Sequence, residues 1–217
     1  LSERSPRPAQ ESWNELRVLV EREGGAPPDW DAVLDKFLQL LSKKNEAINL
    51  VSRASIDRII ELQVLPSMAG LLVIKPDQSL RVLDVGSGGG FPGIVLKILR
   101  PQVRIDLVEA TQKKARFLSE CIRALGLEDA IVHACRVESP TPELLERAPF
   151  EVSFARAVGQ EDLVSRSVKP LLGSECSLWV FSGDTNASDS LAWRGMDGRW
   201  ITGLQRLAIG SGVKSGS

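Results

Sequence analysis

Apolar positions divide the chain into two textures. Up to residue 78 they recur with helical spacing. Trp13, Leu16, Leu19 and Val20 share one face of a stretch from 12 to 23 that stops at Gly24-Gly25. After Pro27-Pro28, with Asp29 or Asp31 available as a cap, Val33, Leu34, Phe37, Leu40 and Leu41 form a second stripe. A third helical stretch begins near Ser55 and carries Ile56, Ile59, Ile60 and Val64, and Pro66 is expected to kink or break it. Residues 1–10 are polar and Pro-containing, and no packed element is expected there.

From Leu80 the pattern changes. Short apolar runs at 80–85, 103–109, 130–135, 150–155 and 177–182 read as strands, and helical patterns at 92–100, 111–125, 142–147 and 159–172 separate them. Such alternation predicts an α/β fold, a mostly parallel Rossmann-like sheet with helices on both faces. The expected division is an N-terminal helical extension, 1–78, packing on the sheet of a domain at 79–217. The tail from Asp184 is rich in Ser, Gly and Asp, then offers a strand pair around 200–209. Ligands of such sheets bind beyond the carboxyl ends of the strands, where the strand order reverses.

Composition adds mostly exclusions. With 217 residues the chain is long enough for a core that needs no disulfide or metal staple. A net charge of −1 gives no global reason for a nucleic-acid or membrane partner, so any such partner must rest on a local patch. The three cysteines, Cys121, Cys135 and Cys176, are far apart, which predicts buried thiols in a reducing compartment, the cytoplasm. The single histidine, His133, lies in an apolar run and reads as a core residue. One histidine supports neither a His-based triad nor a multi-His metal centre, and no metal is expected. No apolar run has the length of a membrane span and none reads as a leader peptide. A monomer is the expected state.

The chemistry concentrates in Asp84-Val85-Gly86-Ser87-Gly88-Gly89-Gly90-Phe91-Pro92-Gly93. Two readings fit. Gly88, Gly90 and Gly93 satisfy the G-x-G-x-x-G of a dinucleotide site, while Asp84, Gly86, Gly88 and Gly90 satisfy the D-x-G-x-G-x-G of class I methyltransferases. Charge favours the second. A pyrophosphate wants backbone N–H groups with no carboxylate close by. S-adenosylmethionine brings a sulfonium and an ammonium, and opposite charges ~4 Å apart attract by ~4 kcal/mol at an effective dielectric of ~20. Glu109, ending the second strand, is placed to accept hydrogen bonds from a ribose diol, a feature NAD sites share.

At these residues the chain resembles the RsmG (GidB) family, bacterial 16S ribosomal RNA guanine-N7 methyltransferases. The resemblance spans roughly 31–183 and rests on Asn49-Leu50-Val51-Ser52, the Gly-rich segment, Lys113-Lys114-Ala115-Arg116-Phe117-Leu118, Arg136-Val137-Glu138 and Phe154-Ala155-Arg156-Ala157. It implies S-adenosyl-L-methionine as cofactor, with Gly86 and Phe91 lining its methionine and adenosyl portions. Glu109 would hold the ribose, Val137 and Glu138 would flank the adenine, and Arg156 would sit beside the methyl-transfer pocket in a positioning role. The residues alone also allow Phe91 as core, Glu138 as a loop acid and Arg156 as a surface cation. The family's Arg-His pair and following Asp-Ser are Leu62, Gln63, Pro66 and Ser67 here, and its Lys-Gly after the fifth strand is Ser182-Gly183.

Lys113, Lys114 and Arg116 crowd the first turn of a helix, against its dipole, an arrangement costing ~0.3–1 kcal/mol unless an anion compensates. They are the candidate RNA contacts, with a solvated helix face as the alternative. The implied partner is 16S ribosomal RNA or the small ribosomal subunit. The rival functions are a diverged paralogue acting on another RNA or a small molecule, an NAD-type oxidoreductase, and a non-catalytic nucleoside- or RNA-binding module.

Overall fold

The computed structural model describes residues 10–156, 161–182, 190–195 and 200–207. Two helices open it, α1 (Gln10–Glu23) and α2 (Trp30–Ile48). They turn the expected apolar stripes inward: Leu16, Leu19 and Val20 of α1 and Leu34, Phe37, Leu38 and Leu41 of α2 are buried. α2 ends at Asn49, which adopts a left-handed φ of 49° and returns its N–H to the Asn45 carbonyl. The Asn45 side chain then accepts the Val51 N–H at 2.8 Å, folding the Asn49–Ser52 motif back over the helix end.

The third helical stretch is divided, not merely kinked. It comprises α3 (Arg53–Ile56), a π-helical turn (Ile60–Val64), α4 (Leu65–Ser67) and a 3-10 turn (Met68–Leu72). Pro66 stands just inside α4. Proline has no N–H, so the Leu62 carbonyl four residues earlier lacks its usual donor.

The sheet follows: β1 (Arg81–Val85), β2 (Arg104–Val108), β3 (Ala130–His133), β4 (Phe150–Ala155), β5 (Leu172–Ser182), β6 (Ser190–Arg194) and β7 (Trp200–Leu207). Its order is β3-β2-β1-β4-β5-β7-β6, with β7 antiparallel to both neighbours and the remaining pairs parallel. Between the strands lie α5 (Gly93–Leu99), α6 (Gln112–Leu125), α7 (Pro142–Arg147) and α8 (Glu161–Val168). This is the class I, Rossmann-like arrangement that the alternation implied. β5 starts five residues earlier than the apolar pattern suggests, because Leu172 already pairs with Phe150 before a register shift. The helix before it correspondingly ends at Val168. Gly183 and Ala157 lie outside the described residues.

Side-chain alternation sends the two faces into two cores. Val82, Ile105, Leu107, Val152 and Phe154 join α1, α2, α5 and α6. Leu83, Val85, Val108 and Ala155 join α7, α8 and β5. The second face also carries a buried polar knot. Asp106, 1% exposed, accepts from Arg147 Nε (2.5 Å) and Nη2 (3.0 Å) and lies 2.6 Å from His133 Nε2. That contact raises the Arg147 pKa above its ordinary value. His133 is therefore a buried structural residue.

No helix among the described residues is long and apolar enough to cross a membrane.

Candidate functional site

The strand order reverses at β1, whose neighbours are β2 and β4, so a crevice opens at their carboxyl ends. The turn after β1 occupies it. Gly86 and Ser87 donate their N–H groups to the Val108 carbonyl at 2.9 and 3.1 Å, pinning the turn to β2. Gly86 and Gly88 have φ of 74° and 54°, in the left-handed region that glycine enters without a Cβ penalty. Gly86 is exposed, and a Cβ built on Gly88 would have only the Gly86 carbonyl oxygen, at 3.7 Å, within 4 Å. The turn thus presents open backbone that any side chain would fill.

The later glycines serve packing. A Cβ on Gly93 would fall 2.3 Å from Leu107 Cδ2 and 2.5 Å from Asp84 Oδ2, so α5 can lie this close to the sheet only with glycine at its start. Gly90 presses likewise against Ile94 and Phe37.

Glu109, directly after β2, clamps the turn. Oε2 accepts the Gly88 N–H at 2.9 Å and Oε1 the Thr111 N–H at 2.7 Å, so one carboxylate ties the glycine turn to the start of α6. A carboxylate offers about four lone-pair sites, and two backbone donors leave room for a ligand hydroxyl.

Asp84 is more deeply placed than its motif suggests. It is 1% exposed, and Oδ2 accepts the Gly93 N–H at 3.1 Å, capping α5 from beneath the turn. Oδ1 is buried without a partner, because the Ser87 hydroxyl donates to the Asp84 backbone carbonyl instead. Burial raises the Asp84 pKa to about 7, while the Gly93 N–H and Arg156 oppose the shift.

Arg156 follows β4 at the same end of the sheet. Its Nη2 donates to the Leu62 carbonyl at 2.8 Å and its Nη1 to the Gln63 carbonyl at 3.5 Å, and its guanidinium carbon lies 5.8 Å from the Phe181 ring centroid. Burial lowers its pKa from the ordinary value, against the pull of Asp84. Arg156 is thus not the surface cation its residue type allowed. The sequence signalled Pro66 as a helix breaker; that it also frees a carbonyl for Arg156 becomes visible only in three dimensions.

Asp84, Gly86, Gly88, Gly90, Glu109 and Arg156 are gathered at the carboxyl ends of β1, β2 and β4. The remaining expected site residues lie in the flanking segments. Phe91 turns its ring into the core, 5.5 Å from Phe37 between centroids, and is 5% exposed. Its ring serves packing. After β3, Val137 is buried in the second core while Glu138 is exposed. Lys113 and Arg116 are exposed and Lys114 half-buried in the first turns of α6. The Asn49–Ser52 segment closes the far flank of the turn, with Leu50 O and Val51 Cγ1 each 3.3 Å from where a Gly89 Cβ would stand. Among the described residues no group of three His, Cys, Asp or Glu side chains is arranged to hold a metal.

Comparison with known proteins adds a family and a fold. Residues 31–194 match the GidB family model, described as rRNA small subunit methyltransferase G. A ribosomal RNA small subunit methyltransferase G of Rubrobacter xylanophilus is 38% identical over 141 residues, covering 65% of this chain and 54% of the relative. The protein of that name from Sorangium cellulosum is 35% identical over 179 residues, covering 82% and 72%. The chain therefore spans only about half of the first relative's length. Among solved structures, MtNAS in complex with MTA and tNA superposes with a TM-score of 0.50 at 15% identity, covering 81% of this chain and 70% of that one. At that identity the likeness concerns the fold.

Proposed function

Because the chain belongs to the GidB family, rRNA small subunit methyltransferase G, we propose that it transfers a methyl group from S-adenosylmethionine to guanine N7 of 16S ribosomal RNA. The observation that carries this reading is the open left-handed turn at Gly86 and Gly88, held by Glu109 at the point where the strand order reverses. The protein would act in the cytoplasm, on free RNA or on the small ribosomal subunit.

The residues present fit this cofactor. The backbone of exposed Gly86 and half-buried Gly88 accepts close approach of the methionine portion. Glu109 keeps lone pairs for a ribose diol, and the unpartnered Oδ1 of Asp84 biases the floor of the turn toward a cation. A pyrophosphate would meet two carboxylates here, which disfavours the dinucleotide reading. Val137 and Glu138 border the side where the adenine would lie. Phe91 supports the turn from the core. When bound, S-adenosylmethionine supplies a methyl group activated on a sulfonium.

Guanine N7 offers an in-plane lone pair and has no proton to lose. The N7–CH3 bond forms as the S–CH3 bond breaks, leaving methylated guanine and S-adenosylhomocysteine. Such a reaction asks the protein chiefly for orientation, where well-placed reactants gain ~7–11 kcal/mol, and for exclusion of water. A site with no histidine and one half-buried arginine meets that demand. Arg156 keeps the end of β4 joined to the 62–63 carbonyls and so shapes the pocket wall.

The test is methyl transfer from labelled S-adenosylmethionine to deproteinised small-subunit RNA and to intact small subunits lacking the modification, with the product nucleoside identified by mass spectrometry. N7-methylguanosine in either substrate supports the assignment. Label in neither, from protein that binds the cofactor, refutes it.

A further inference from the structure

A second surface lies farther along α6, beyond its basic first turn. Lys36 Nζ donates to the Ala124 carbonyl and Lys44 Nζ pairs with Glu120 Oε2 at 3.1 Å, so α2 and α6 pack antiparallel. The carboxyl end of α2 is thereby set beside the amino end of α6, where Lys113 and Arg116 stand. Between the helices runs a cleft of about 340 Å³ with Leu40, Phe117 and Cys121 on its floor and Lys43, Lys44 and Glu120 on its rim.

The charge of these helices is predominantly basic. Helices α2 and α6 together carry seven Lys and Arg against four acids, Asp31, Asp35, Glu46 and Glu120, in a chain whose net charge is −1. Glu120 is already paired with Lys44, and Lys43, exposed on the rim, has no ion pair among the described residues. An excess of this kind confined to two adjacent helices is a local field for a polyanion. Cations lining a groove are how the backbone of single-stranded nucleic acid is commonly held. From Lys113 to Glu120 the helix rises by ~10 Å, enough for more than one nucleotide.

We infer that the α2–α6 cleft binds single-stranded RNA flanking the target nucleotide, with Lys43 on a backbone phosphate; this rests on the RNA substrate proposed above. The cleft extends the basic first turn of α6 away from the crevice. It gives α2 a role in substrate binding that is separate from its packing on the sheet.

The experiment measures binding of deproteinised 16S RNA to the cofactor-loaded protein across a salt series, for wild type, Lys43→Glu, Lys43→Arg and the Lys113→Ala, Lys114→Ala double variant. Lys43→Glu is expected to weaken binding several-fold and to lower the log–log salt slope by about 0.7, the value for one single-strand phosphate contact. Lys43→Arg should retain both, and cofactor affinity should be unchanged in each. If Lys43→Glu binds as wild type while the α6 variant weakens, the cleft is overturned and the RNA methyltransferase reading stands. If wild-type protein binds no deproteinised RNA at any salt, the cleft is overturned as a single-strand site, while N7-methylation of intact small subunits would leave the methyltransferase reading standing.

Discussion

Arg156 reaches across 94 positions of chain to the Leu62 carbonyl, at 2.8 Å, and Pro66, four residues beyond that carbonyl, has no N–H with which to compete for it. An alanine at 66 would give Leu62 a backbone donor four residues on, competing with the guanidinium. Charge-assisted bonds of this kind contribute about 1.5–3 kcal/mol. Arg156→Ala should therefore lower stability by about that amount, and by less in a Pro66→Ala background. The coupling should reach about 0.5 kcal/mol or more in a double-mutant cycle read by urea unfolding. Additive effects would show that Pro66 and Arg156 act independently.

Asp84 predicts a pH dependence. Its folded pKa of about 7 lies above the ordinary 3.8, so the folded state holds the proton more tightly than the unfolded one. Its contribution to stability is thus largest below pH 4, declines as pH rises toward 7 and is level above. The total change is on the order of 4 kcal/mol. Asp84→Asn keeps an oxygen for the Gly93 N–H and removes the titration, so the variant should gain on wild type between pH 4 and 7. A cationic ligand beside Asp84 favours its ionised form. Affinity for S-adenosylmethionine should accordingly rise with pH through about 7, with proton release seen as buffer-dependent binding heats. Parallel stability profiles for the two proteins would place the titration elsewhere.

Much of this architecture was legible in the sequence because its signals are local. Apolar runs from Leu80 onward, broken by helical stripes, give the strand order its raw material, and the glycine spacing marks the turn. What stayed hidden depends on long-range pairing. Gly173, Ser174 and Glu175 are poor strand formers, yet Leu172 pairs with Phe150 and β5 starts there. Phe91 follows the motif, and only folding shows its ring packed against that of Phe37, 54 positions away. Glu109 was readable as an acid at a strand end. That each of its oxygens would also accept a backbone N–H, from Gly88 and Thr111, was not. Asp106 looked like one more polar residue in a strand, and only folding brings Arg147 and His133 to it.

That polar knot has its own expected outcome. Removing one member of a buried charged network leaves the others uncompensated, typically at a cost of about 3–5 kcal/mol. Asp106→Ala should destabilise the protein by about 3 kcal/mol, measured by the urea midpoint. A loss below about 1 kcal/mol would mean that Arg147, partly exposed, simply turns to solvent.

Gly86 separates the cofactor site from the fold. Its φ of 74° makes any side chain strained, and a β-branched one most of all. Gly86→Val should cost about 1–3 kcal/mol in stability and abolish S-adenosylmethionine binding by calorimetry, with circular dichroism unchanged. Retained affinity would remove the turn from the cofactor site.

The basic turn of α6 can be tested apart from the cofactor. Lys113 and Arg116 are exposed and Lys114 half-buried, and no ion pair with any of them occurs among the described residues. Positive charge at a helix amino end is unfavourable by ~0.3–1 kcal/mol. Lys113→Ala with Lys114→Ala should therefore leave stability level or slightly improved. If these side chains hold phosphates, the same variant should weaken RNA binding and lower its log–log salt slope by about 0.7 per lost contact. Cofactor affinity should stay the same, since Asp84, Glu109 and the glycines are untouched. An unaltered slope would reduce the cluster to a solvated helix face. Loss of cofactor binding alone would move it into the cofactor site. Weakened RNA binding with intact cofactor affinity is the expected result, and it would make the amino end of α6 the point where substrate strand and cofactor pocket meet.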